Sequence, residues 1–369
     1  MGISSVIEQT VKAIHSGEQR KKSVAERLGP LKKGILPSGC ESFPENGLAF
    51  TVQDWVPQGL VAGVDSGFVA KRLASVDLVI IRAVGVVFDY KNGVVDSTKY
   101  FPDYFHFPEP HLSSGSLEQD EAEQSKSLMR LREEVGVMKK VIELHSPKYL
   151  FIDGSIVPQF QDKPRKESAL TGNYSDIITE FESLYAVAEK HGCTLIATVE
   201  DSRGSRFRQI LQDDILGREE GAAKKLSLIA QDLDGLSDSA ILDYFLEVGE
   251  RSCAFTYTKS ISQHPVLQDF NSKWSKGIYG LYIKPAVLDR PLRCEFICHG
   301  GLKEKADEVA SVALALSSMH REYAFPSVLI EADLRAKLHN DEIDLVFNKI
   351  WDKLGAGVKL RMRRENRPF

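Results

Sequence analysis

The sequence predicts an α/β fold, a mixed β-sheet flanked by helices, and three observations predict it. Apolar runs of strand length recur along the chain, and two of them deliver an aspartate at or near their ends. Lys91-Asn92-Gly93 is a strong hairpin signal between two of these runs. After the hairpin, helical and strand patterns alternate one for one, which calls for helices on both faces of a mixed sheet.

Each element can be justified in order. Residues 3–28 carry Val6, Val11, Ile14, Val24 and Leu28 amid charge and read as a helix, stopped by Gly29-Pro30. Residues 34–46 hold prolines, glycines and Cys40 and read as a linker. Strands are expected at 60–68, 76–90 and 94–100. An aromatic and proline-rich loop at 102–116 is followed by one long charged helix at 117–145. A fourth strand at 149–153, a polar loop at 161–173, a helix at 177–191 and a fifth strand at 194–199 come next, then a mostly helical stretch to about residue 246. This is the succession of an RNase H-like domain. Further strands are expected at 252–257, 278–283 and 292–297, and helices at 302–319, 327–338 and 342–354. The expected domains are an N-terminal helical segment and linker (1–45), the RNase H-like domain (46–345), and a C-terminal helix end with a basic tail (346–369).

Bulk composition narrows the function classes. A chain of 369 residues with 43% hydrophobic content can bury a large core, and a net charge of −5 argues against a surface basic all over. The Lys359–Arg367 tail is basic and reads either as a phosphate contact or as a solvated end. The five cysteines are scattered without finger spacing, so a structural zinc site is not expected and a reducing, cytoplasmic compartment fits. No apolar run is long enough to span a membrane.

The chemistry centres on Asp65 and Asp153. A carboxylate on a core strand is costly unless paired, so two of them on strands of one sheet suggest a shared cation. Phosphodiester cleavage uses clustered carboxylates that hold one or two divalent ions. An all-oxygen donor set suits Mn²⁺ or Mg²⁺ rather than zinc. The long helix offers Glu133 and Glu134 about three turns before its end. Glu200-Asp201 ends the fifth strand, and Arg203, Arg206 and Arg208 follow. Acids and then arginines suit metal plus phosphate, but Asp201 or Ser202 also reads as a helix cap with exposed arginines after it. Asp238, in Leu236-Ser-Asp238, reads first as a helix cap and second as a further site acid. Asp333 lies on a helix entering late in the chain. The sequence has no GxxxxGK[ST] loop, dinucleotide fingerprint, GxSxG elbow or paired-histidine motif.

Together Gly63-Val-Asp65-Ser-Gly-Phe68, Leu150-Phe-Ile-Asp153-Gly-Ser155, Leu236-Ser-Asp238 with Gly249-Glu-Arg251-Ser252, Arg293-Cys-Glu295-Phe, and Phe325-Pro326 with Glu331-Ala332 resemble the NurA nuclease family in order and spacing. The resemblance implies an RNase H-like fold related to the Argonaute nuclease domain. It implies a Mn²⁺-dependent enzyme acting 5′ to 3′ on single- and double-stranded DNA ends and cutting single strands internally. It further implies a homodimer docked on HerA, a hexameric DNA-translocating ATPase, in double-strand-break resection. By position Asp65 and Asp153 match the family's metal aspartates and Glu134 its helix glutamate, with Glu133 the alternative. Asp333 stands where members often carry histidine, and Glu200 where they often carry lysine. These departures keep a second class open, a catalytically weak DNA-threading subunit that stimulates the motor. A third reading, an RNA-directed enzyme of the same fold, turns on whether the 2′-hydroxyl is sensed.

Overall fold

A computed structural model of the chain describes residues 3–32, 44–216 and 232–355. In chain order its elements are α1 (Ile3–Leu28), β1 (Ala49–Thr51), β2 (Gly59–Arg72), β3 (Val76–Lys91), β4 (Val94–Phe101), β5 (Glu109–Ser114), α2 (Gln119–His145), β6 (Tyr149–Asp153), α3 (Thr171–His191), β7 (Thr194–Val199), α4 (Arg206–Ile210), α5 (Asp238–Phe245), β8 (Glu250–Ser252), β9 (Phe255–Thr256), α6 (Ser272–Ser275), β10 (Ile278–Ile283), β11 (Leu292–Ile297), α7 (Leu302–Ser317), α8 (Ser327–Ala336) and α9 (Asn340–Leu354). Cys40, most of the 34–46 linker and the basic tail lie outside the described residues. No described helix is long and apolar enough to cross a membrane.

The described residues fall into two compact units. One comprises 57–197, 261–276 and 327–355, the other 3–32, 44–56, 198–216, 232–260 and 277–326. In the first, the strands run β7-β6-β2-β3-β4, with β5 also paired to β3. The β2-β3-β4 meander is antiparallel and β2 pairs with β6 in parallel, so the sheet is mixed as expected. Asn92 (φ 51°) and Gly93 (φ 83°) both take the left-handed conformation that a two-residue hairpin turn needs.

Helices cover both faces of this sheet, and close-packed glycines show which helix covers which. A Cβ on Gly85 would meet Val141 and Val137 of α2. A Cβ on Gly63 would lie 3.0 Å from Val328 of α8, and one on Gly67 2.6 Å from the Ala336 carbonyl oxygen. Gly85 pairs with Val64, so β2 shows its even-numbered residues to α2 and its odd-numbered ones to α8.

Two local differences from expectation have physical causes. Residues 109–114, read as loop, form β5, because β3 runs well past the end of β4, whose last pair is Gly85 with Phe101, and leaves its 76–81 edge to pair. Their strand signal is masked by Pro110, tolerable on an edge strand. The expected 252–257 strand breaks into β8 and β9, each pairing separately with β10.

The second unit has strand order β1-β8-β10-β11, with β9 also on β10. Its core gathers Val24, Ala25 and Leu28 of α1, Phe207 and Ile210 of α4, Ile241, Leu242 and Phe245 of α5, and Phe255 and Tyr282.

Candidate active site

Register places the two strand aspartates. In the parallel pair Val64 lies opposite Ile152, so Asp65 sits level with Asp153, the last residue of β6. Asp65 is thus mid-strand in β2 but stands beside the carboxyl end of its neighbour. It is buried, while Asp153 is half-buried.

Helix α2 brings Glu134. The carboxylate is buried and receives Ser66 Oγ at 2.5 Å and the Arg130 guanidinium at 2.8 Å. Arg130 also donates to Ser66 Oγ at 3.2 Å, which closes a triangle around the glutamate. The spacing of Arg130 and Glu134, one helical turn apart, puts them on one face of α2.

Asp333 comes from α8 across the other face. Glu331 fixes that helix, accepting from Tyr100 Oη at 2.9 Å and from Arg335 Nε at 2.8 Å. Arg335 in turn lies over the Tyr104 ring, 4.2 Å from its centroid. Beyond the helix, Arg82 donates to the Lys337 carbonyl at 3.0 Å and pairs with Glu342.

The acids feel one another. Burial, then the Glu134 carboxylate, pushes Asp65 up to about 7; Asp333 adds to the rise, while the Ser66 backbone N–H and Arg130 oppose it. Burial also raises Glu134, with Arg130 and Ser66 pulling it down and Asp153 pushing it up. Hard oxygen donors with unrelieved mutual repulsion fit a divalent cation such as Mn²⁺ or Mg²⁺. Asp65, Glu134, Asp153 and Asp333 could hold one.

Glu133 turns the other way, toward His111 of β5, whose Nε2 is 3.8 Å from Glu133 Oε1. Of the two adjacent glutamates it is Glu134 that accompanies Asp65.

A model of the NurA domain matches residues 59–338 of this sequence. The chain belongs to the NurA domain family. The NurA nuclease of Sulfolobus solfataricus is similar in fold, with a TM-score of 0.50 and 14% identity over 84% of this chain and 89% of that one. A NurA bound to dAMP and manganese is similar at a TM-score of 0.44 and 12% identity, over 99% of each chain. A search of curated proteins returns no match.

Several residues of the NurA resemblance serve architecture in the second unit. Arg251 is fully buried and forks onto Glu45 at 2.6 and 2.9 Å, with Asp307 at 2.6 Å. Arg293 Nε donates to Glu295 at 2.7 Å in the interior. Asp238 accepts the backbone N–H groups of Phe207 at 3.0 Å and Arg208 at 2.9 Å, so it caps α4, and Ser237 caps α5.

The arginines after the fifth strand divide. Arg206 is buried, donating to the Thr256 carbonyl at 3.1 Å and Thr256 Oγ1 at 3.0 Å, so it turns inward where the sequence offered a phosphate contact or an exposed arginine. Arg203 and Arg208 line a cavity of about 770 Å³ with Lys21 and Arg290. Asp201 is exposed near Arg290, at 3.7 Å, and Glu200 accepts from Tyr323 Oη.

Sequence reasoning missed Ser66 and Arg130. The available signal was their spacing, one residue after Asp65 and four before Glu134.

Proposed function

We propose that this chain is a divalent-metal-dependent DNA nuclease, a 5′-3′ exonuclease on single- and double-stranded DNA that also cuts single strands internally. The observation that carries the reading is the repulsion that couples Asp65 to Glu134 and Asp333, and Glu134 to Asp153, with the two aspartates level on the adjacent β2 and β6 strands of a NurA-family chain. Asp65 and Asp153 are the principal ligands, Glu134 a third, and Asp333 a fourth. Bound among them, a cation would offset phosphate charge and make a water acidic enough to attack phosphorus. Ser66 and Arg130 orient the Glu134 carboxylate. Arg203 and Arg208 serve as contacts to the DNA backbone, and Arg206 holds the local chain in place. In the cell the enzyme acts in the cytoplasm as a homodimer with a HerA-type hexameric translocase in end resection.

The direct test is cleavage of 5′-labelled single-stranded DNA with Mn²⁺, Mg²⁺ or EDTA. Cutting should require metal and vanish in an Asp65→Ala/Asp153→Ala variant. Metal-dependent cutting that survives the double substitution would overturn the assignment.

Two observations favour a second reading, a catalytically weak subunit that threads DNA for the motor. Glu134 is already engaged by Arg130, and Asp333 adds negative charge without a proton to donate. That reading expects stimulation of the ATPase to persist in Asp65→Asn, with no cleavage above background in wild type.

A further inference from the structure

Opposite the Glu134 side, α2 and β5 build a second cluster of ligating groups. Glu109 and His111 are two apart on β5 and so share the face turned toward α2, where Glu133 meets them. One ligand atom from each of the three lies within 4.8 Å of the others. The His111 Nε2 atom is cut off from solvent and has no hydrogen-bond partner, although Glu133 Oε1 is 3.8 Å away. That separation is too long for a hydrogen bond. It suits two donors on one ion, since ligands at about 2.0–2.2 Å from a metal stand roughly 3–4 Å apart.

We propose that Glu109, His111 and Glu133 form a second divalent-cation site, separate from the aspartate cluster. Imidazole with two carboxylates selects a first-row transition ion such as Mn²⁺ or Zn²⁺ over Mg²⁺ or Ca²⁺. Glu109 is exposed, so water completes the coordination on that side. The site clamps β5 to α2. Because Glu133 is joined directly to Glu134, loading it also restrains the helix that carries the catalytic glutamate. The ribbon geometry keeps the two sites apart: Glu109 pairs with Ile81, which pairs with Phe68, beyond Asp65 along β2.

The test counts Mn²⁺ bound to the full-length Asp65→Asn/Asp153→Asn variant by electron paramagnetic resonance and reads nitrogen coordination from ¹⁴N modulation of the spin echo. One ion with ¹⁴N modulation is expected. His111→Gln in that background should abolish the modulation. Glu109→Gln, at an exposed position that leaves folding intact, should weaken binding by about tenfold or more. A variant that binds no Mn²⁺, or binds it without ¹⁴N modulation, would overturn the site. Both readouts are independent of nuclease activity, so a dead Asp65 site and an absent second site give different results.

Discussion

At the residue scale, Asp65 is held in conflict. Its carboxyl titrates near 7 rather than at its ordinary 3.8, chiefly through burial and then through Glu134 and Asp333, with Arg130 giving partial relief. Between those two values the folded chain binds a proton that the unfolded chain does not, so this group's contribution to stability falls as pH rises through that window. In EDTA, Asp65→Asn should therefore stabilise the protein by about 1–3 kcal/mol at pH 8. The gain should be much smaller at pH 5. Thermal melts of both proteins at the two pH values check this, and an equal difference at both would refute it. The same substitution should abolish metal-dependent cleavage. Two of the three arginines of the 200–210 segment, Arg206 and Arg203, separate in the same manner. Arg206→Ala leaves the half-buried Thr256 acceptors without this donor and empties a buried side-chain position, and should cost about 1–3 kcal/mol in urea unfolding. Arg203→Ala, at an exposed position, should leave stability within about 0.5 kcal/mol. It should lower the magnitude of the salt slope of single-stranded DNA binding by about 0.7.

At the element scale, α8 lies close against β2, and Gly67 permits the approach. A methyl there would sit 2.6 Å from the Ala336 carbonyl oxygen, so backbone must move. Gly67→Ala should cost about 1–3 kcal/mol by overpacking. It should also weaken Mn²⁺ binding at the aspartate cluster, because Asp333 rides on the displaced helix. Melting curves with and without Mn²⁺ measure both, and a variant matching wild type in each would show that α8 does not position the site. The elements themselves were largely readable from the sequence. Residues 3–28, 278–283 and 292–297 match α1, β10 and β11 residue for residue, since their apolar spacing and bounding Gly and Pro are local signals. β5 and the short α6 were not, because their structure depends on partners elsewhere in the chain.

For the whole molecule, the proposed homodimer predicts a solution mass twice that of the 41.1 kDa chain. Light scattering after size exclusion reads this directly, and a monomer at working concentration would remove the dimer from the reading. Adding the hexameric translocase should raise DNA cleavage and shift both proteins into one eluting complex. The NurA motifs fall across both compact units, with Asp65 and Asp153 in one and Arg251, Arg293 and Asp238 in the other. Their chemistry differs accordingly. The first set keeps carboxylates crowded together, and the second neutralises each charge with an internal partner.

The sequence by itself determined the α/β class, the family, the strand positions of Asp65 and Asp153 and the candidate pair Glu133 and Glu134. Those features rest on local pattern, on apolar runs, turn residues and motif order. Only the tertiary structure decided that Glu134 accompanies Asp65 while Glu133 meets His111. Adjacent helical residues point about 100° apart, and the helix's rotation about its axis is set by packing against Gly85. Tertiary structure likewise turned Arg206 and Asp238 inward. A charged side chain reads the same in sequence whether it meets solvent or a buried partner, and burial is a property of the assembled fold.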